Sequence, residues 1–134
     1  QIGPHGVGLA NADPATHGWK DRLADWLNAN GFLSDAQRAA VSGKITVNDK
    51  PLRWGMIAFV PKFPNQPRAW AMVSNGQYNI AANRGPVVGE NRVIVYDLGS
   101  VEPRPTIEDV KVFDRDHKVA IQAEKNEIMV EIKE

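Results

Sequence analysis

Four stretches decide the fold class: Val41-Ser-Gly-Lys-Ile-Thr-Val-Asn-Asp-Lys-Pro-Leu52, Gly55-Met-Ile-Ala-Phe-Val-Pro61, Asn75-Gly-Gln-Tyr78 and Gly89-Glu-Asn-Arg-Val-Ile-Val95. In the first, Val41, Gly43, Ile45 and Val47 share one face, and Ser42, Lys44, Thr46 and Asn48 the other. That is the two-residue period of a strand. Asn48-Asp-Lys-Pro51 is turn chemistry. The next run, Arg53 to Val60, is apolar on both sides: Ile57 and Phe59 oppose Trp54, Met56, Ala58 and Val60. A strand of that kind is expected to be covered on both faces. Pro61-Lys-Phe-Pro-Asn-Gln-Pro67 holds three prolines and reads as a loop. Arg68 to Val73 and Gln77 to Ala81 read as strands joined by a tight turn at Ser74-Asn-Gly76. Here Trp70 and Met72 are expected to point inward with Tyr78 and Ile80. Arg92 to Tyr96 is a second strand apolar on both faces.

Working outward, residues 1–12 carry Gly3, Pro4, Gly6 and Gly8 without a period and read as an extended arm. Asp13 and Pro14 are a helix start, and Trp19, Leu23, Trp26 and Leu27 form one helical face that stops at Asn30-Gly31. Ser34-Asp-Ala-Gln37 has the form of a capping box and predicts a second, short helix ending near Ala40. On the other side, Leu98 to Thr106 reads as a loop. Val110 to Phe113, a turn at Asp114-Arg-Asp-His117, Val119 to Ala123 and Ile128 to Ile132 follow. The last two runs are expected to pair as a hairpin. The expectation is a mainly β protein, an antiparallel sandwich of roughly seven or eight strands with an N-terminal helical extension. Residues 1–40 would form the arm and helices, packed on the sandwich, and residues 41–134 the sandwich.

Sixteen basic residues balance sixteen acidic ones, and no two Lys or Arg are adjacent. That argues against nucleic acid as a partner and against a polybasic membrane patch. The chain has no cysteine, which excludes disulfides, thiolate metal sites and cysteine nucleophiles. No apolar run approaches the roughly 20 residues of a membrane span. Because the chain begins at Gln1 rather than Met, an upstream piece is expected to have been removed, and a signal peptide or lipid-anchor segment would fit.

In their order and spacing, the four quoted stretches resemble the carboxypeptidase regulatory-like domain, within the transthyretin-like β-sandwich group, over about residues 41–97. Val119 to Ile132 would supply a last hairpin. Asn91 stands where that pattern usually has an aromatic, and Asp49 where its first turn usually has glycine. The resemblance implies a non-enzymatic binding or structural module of an exported, periplasmic or cell-surface protein. The group's enzymatic branch, the 5-hydroxyisourate hydrolases, carries a histidine in the early strand and ends in Y-R-G-S. Here that strand is Ser42-Gly-Lys-Ile-Thr-Val47 and the chain ends Glu131-Ile-Lys-Glu134, so the groups that would position a hydrolytic water are missing.

The remaining chemistry is sparse. His5, His17 and His117 have no metal-ligand spacing and read as solvated. Asp114 and Asp116 lack the further oxygens a calcium loop needs. Residues Asn83 to Gly89 are a loop without a phosphate-cradling pattern. No catalytic residue, metal or cofactor is expected. Trp54 and Trp70 together would make a sugar-stacking platform, the feature behind a carbohydrate-binding alternative. Trp54, Met56, Ala58, Ile94 and Tyr96 would form an apolar patch outside one sheet, and Trp54, Met56 and Tyr96 are the candidate surface for a protein or glycan partner. The stripe of the first helix is expected to dock on that patch, giving a monomer. In the rival arrangement the helix or the patch meets another chain, as in a weak dimer.

Overall fold

A computed structural model describes residues 18–99 and 109–134, except the side chains of residues 115 and 116. The N-terminal arm, the Asp13-Pro14 helix start, His5, His17 and most of the Leu98–Thr106 loop lie outside the described residues.

The protein is mainly β. One helix, α1 (Trp19–Ala29), precedes eight strands: β1 (Val41–Val47), β2 (Lys50–Pro51), β3 (Trp54–Pro61), β4 (Ala69–Ser74), β5 (Gln77–Ile80), β6 (Gly89–Asp97), β7 (Lys111–Ile121) and β8 (Asn126–Ile132). They form one sheet in the order β2-β1-β5-β4-β3-β6-β7, with β8 on β1. Every pairing is antiparallel except β1 with β8, which runs parallel from Val41↔Asn126 to Val47↔Ile132. Local chemistry explains the tight turns. Asn48 (φ 50°) and Asp49 (φ 63°) turn β1 into β2, and Asn75 (φ 48°) and Gly76 (φ 76°) turn β4 into β5. Two consecutive positive φ values match the right-handed twist of the flanking strands.

The sheet curls around a single core. Ile45, Ile57, Phe59, Val73, Val93, Val95, Ile121, Val130 and Ile132 are buried in it. Each contributes up to about 1.5–3 kcal/mol by leaving water. The curl brings the two ends of the sheet face to face: Val93, Val95 and Phe113 from β6 and β7 meet Val130 and Ile132 of β8 across a cleft of about 70 Å3.

Gly43 makes the parallel β1–β8 pairing possible. A Cβ there would lie 1.8 Å from the Ile128 carbonyl oxygen and 2.9 Å from the Tyr78 hydroxyl. The Tyr78 side chain, from β5, uses that space and donates its hydroxyl to the Ile128 carbonyl at 3.0 Å. Its ring lies 6.2 Å from that of Phe59. Burial pushes the Tyr78 pKa upward.

Several expectations need correction. The C-terminal hairpin does not form as a ladder, because β8 pairs with β1. Asn126 shapes the connection. Its Oδ1 accepts from the Gln122 N–H at 2.9 Å, and its Nδ2 donates to the carbonyls of Ala40, Gln122 and Glu124. The turn is thereby tied to the residue that precedes β1. Asp114 to His117 do not form a turn either. They lie within the 11-residue β7, and the pairing with β6 shifts register between Val93 and Val95.

The second helix is absent from residues 34–40. Ser34 Oγ accepts the Ala36 N–H at 3.2 Å in a local turn, and the chain then extends along residues 86–88. Ala39 N–H donates to the Pro86 carbonyl and Val88 N–H to that of Gln37. Ala39 is buried there. The side chain that would cap a helix is used in a turn, and tertiary pairing decides the rest.

Candidate functional site

The pairing register places the outward side chains of four strands in rows. Met72 of β4, Met56 of β3, Tyr96 of β6 and Val112 of β7 are successive cross-strand partners. The next row is Trp70, Ala58 and Ile94. Trp54 precedes Met56 by two residues along β3, on the same face. The three candidate residues Trp54, Met56 and Tyr96 are thus brought onto one surface, and their strands are neighbours as the sequence implied. Trp54, Met56 and Tyr96 are half-buried.

Trp70 and Met72 belong to this outer face and not to the core. They are 55% and 40% exposed, while Ala69 and Val73 of the same strand are buried. An all-apolar run carries no alternation to say which side faces inward. Pairing to β3 settles it, because Phe59↔Ala69 is an inward pair and fixes every second residue. Val112, 54% exposed, extends the surface where the sequence offered no pattern to place it.

No residue of α1 is fully buried, and Trp19, Leu23 and Trp26 of its stripe are 38%, 42% and 54% exposed. The anchor lies at the other end of the helix's exit turn. Gly31 (φ +77°) sits so close to the Gln66–Pro67 backbone that a Cβ would overlap it at 2.3–2.4 Å. This contact holds the C-terminal end of α1 beside the proline loop. Trp26 stacks on Phe32, with ring centroids 5.5 Å apart.

Between that exit turn, the proline loop and β4 lies a cleft of about 600 Å3, with Phe32, Phe63, Trp70, Arg38, Lys62 and Arg68 on its walls. A second cleft of about 310 Å3 shares Val60, Pro61 and Lys62 with it and continues to Glu90, Arg92 and Lys118. The register explains the run of charge. Val60 pairs with Arg92, and Arg92 with Lys118. One step past Phe59↔Ala69, Arg68 comes opposite Val60. Cations therefore follow the apolar rows directly. Lys62 contacts Glu90 at 3.5 Å and Arg92 contacts Asp114 at 3.6 Å, both in exposed pairs of small energetic weight. Arg38 donates to the Gly85 carbonyl at 3.3 Å.

Trp54 and Trp70 do not form a joint platform. Trp54 pairs with Ser74 and Trp70 with Ala58, so the two are four strand residues apart, roughly 13 Å. The partners of Trp70 at its cleft are Phe32 and Phe63, which the sequence reading did not connect with it. His117 and Glu131 flank the small cleft between β7 and β8. Among the described residues no group of three or more His, Asp or Glu is placed to hold a metal ion. No helix among them is long and apolar enough to cross a membrane.

Asn91, noted as replacing an aromatic, is buried. Its Nδ2 donates to the Val87 carbonyl at 2.7 Å and to that of Gly89 at 3.0 Å, which shapes the entry to β6. Its Oδ1 is the one buried side-chain oxygen or nitrogen without a hydrogen-bond partner among the described residues. No family model matches the chain, and no curated protein matches it.

Proposed function

We propose that this chain is a non-enzymatic binding and structural module of an exported or surface-associated protein, a two-layered β-sandwich of the transthyretin-like, carboxypeptidase regulatory-like kind. The order and spacing of its strand motifs support the family reading, as does the cleft where inward residues of β6 and β7 meet those of β8. Export rests on the resemblance alone.

The observation that carries the binding role is the row Met72, Met56, Tyr96 and Val112, set across four strands, with Met72 and Val112 exposed and Met56 and Tyr96 half-buried. Tyr, Trp and Met are the side chains enriched in protein interfaces. The occupant is α1 of a second copy. Trp19, Leu23 and Trp26 form an exposed apolar stripe on the same chain, so each copy offers the surface that the other lacks. Reciprocal docking about a twofold axis satisfies both stripes at once. With roughly 150–250 Å2 for each fully buried aromatic, the two copies of stripe and rows reach the ~1,200–2,000 Å2 of a standard interface.

Size-exclusion chromatography with light scattering tests this at high micromolar concentration. The expected result is a dimer that becomes monomeric with Trp26→Ala and with Met56→Glu. A wild-type protein that stays monomeric there removes the reading. Trp70, exposed in its own cleft, favours a second reading as a saccharide-binding module.

A further inference from the structure

The two joined clefts form a groove across one end of the sheet, separate from the Met56 row, and we propose that it binds an acidic saccharide. The residues fall into three chemical groups. Phe32, Phe63 and Trp70 are each more than half exposed, and aromatic rings suit the apolar faces of sugar rings, although one face of Phe32 is taken by Trp26. Asn30, Asn65 and Gln66 add side-chain amides that both donate to and accept from hydroxyls. Arg38, Lys62, Arg68, Arg92 and Lys118 line the groove, and Glu90 is its one carboxylate among the described residues.

Charge separation makes this more than a solvated surface. The chain as a whole has equal numbers of acidic and basic residues. Lys62 is paired with Glu90 and Arg92 with Asp114, so the cationic excess of the groove rests on Arg38 and Arg68. Arg68 makes no ion pair among the described residues, so its planar guanidinium is available for bidentate contact with a carboxylate or sulfate.

One feature favours a saccharide over a nucleotide strand: the overall neutrality of the chain lacks the long-range field that nucleic acid binding uses. Ring contact falls at the Phe63–Trp70 side of the larger cleft and ionic contact at Arg68.

Isothermal titration calorimetry at low and high salt tests the proposal with four probes: an oligogalacturonate, a heparin oligosaccharide, neutral cellohexaose and an oligothymidylate. Binding of either acidic saccharide is expected, weakened about tenfold by Arg68→Ala and similarly by Trp70→Ala. Lys125→Ala, on the distant β7–β8 turn, is expected to leave it unchanged. The two acidic probes distinguish a carboxylate from a sulfate ligand. Both substituted side chains are exposed, so an unchanged thermal melt separates lost contact from lost fold. Failure of both acidic probes to bind overturns the proposal, as does binding indifferent to Arg68→Ala. Equal affinity for cellohexaose, or tighter binding of the oligothymidylate, overturns it too. Met56→Glu is expected to dissociate the dimer and leave the titration unchanged, so the two readings fail independently.

Discussion

Gly43, Tyr78 and Asp49 are the residues where a single atom decides local structure. At Gly43 any side chain meets the Ile128 carbonyl at 1.8 Å, on backbone that is itself paired. Gly43→Ala is expected to destabilise by at least about 2 kcal/mol, read from denaturant unfolding. Tyr78→Phe removes one donor to that carbonyl and is expected to cost about 1 kcal/mol at neutral pH. The two tyrosine forms also differ in alkali. Burial raises the folded pKa of Tyr78, so its stabilising effect is complete below the unfolded value of about 10 and is lost as pH rises above it. Unfolding curves between pH 9 and pH 11, rough bounds set by that unfolded value, are expected to fall more steeply for the wild type than for Tyr78→Phe. At Asp49 the φ of 63° favours glycine. Asp49→Gly is expected to gain about 0.5 kcal/mol, since the Lys133 contact it loses is 3.9 Å long and exposed.

At the scale of elements, Asn126 joins the C-terminal turn to the start of β1 through four hydrogen bonds. Asn126→Ala leaves the Gln122 N–H and three carbonyls without that partner and is expected to cost about 2–3 kcal/mol. Hydrogen exchange should then show β8 opening before β3 and β6. Helix α1 behaves differently. With no buried residue it is expected to contribute little to the dilute monomer, so Trp26→Ala should change its unfolding free energy by less than about 0.5 kcal/mol. The same substitution is expected to dissociate the dimer, and the contrast between the two measurements separates a structural helix from an interfacial one.

At the scale of the molecule, outward side chains are sorted along one direction of the sheet. Apolar rows at Met56 and Ala58 give way to a cationic row at Val60, because β4, β3 and β6 are in register and β7 rejoins them at Lys118 past its register shift. On the two proposals, one surface would hold a protein face and the adjacent groove an anion. Much of this was legible in the chain. The strands from β1 to β6 fall within a residue or two of their expected places, apart from the two-residue β2 and the longer start of β6. Trp54, Met56 and Tyr96 share a surface as expected. The groove was not legible, since Phe32, Arg38, Lys62, Trp70 and Lys118 are scattered along the sequence and meet only through pairing.

Short-range pattern and turn chemistry, which depend on neighbours a few residues apart, determined by themselves that this is a mainly β chain with strands at these positions. They also determined that two of the strands are apolar on both faces. Only the tertiary structure decided the partner of β8, the fate of residues 34–40 and the outward direction of Trp70. Each of these turns on a contact between distant residues: Gly43 with Ile128, Ala39 with Pro86, Phe59 with Ala69. Local periodicity carries no information about which distant backbone is near enough to satisfy a hydrogen bond or exclude a side chain.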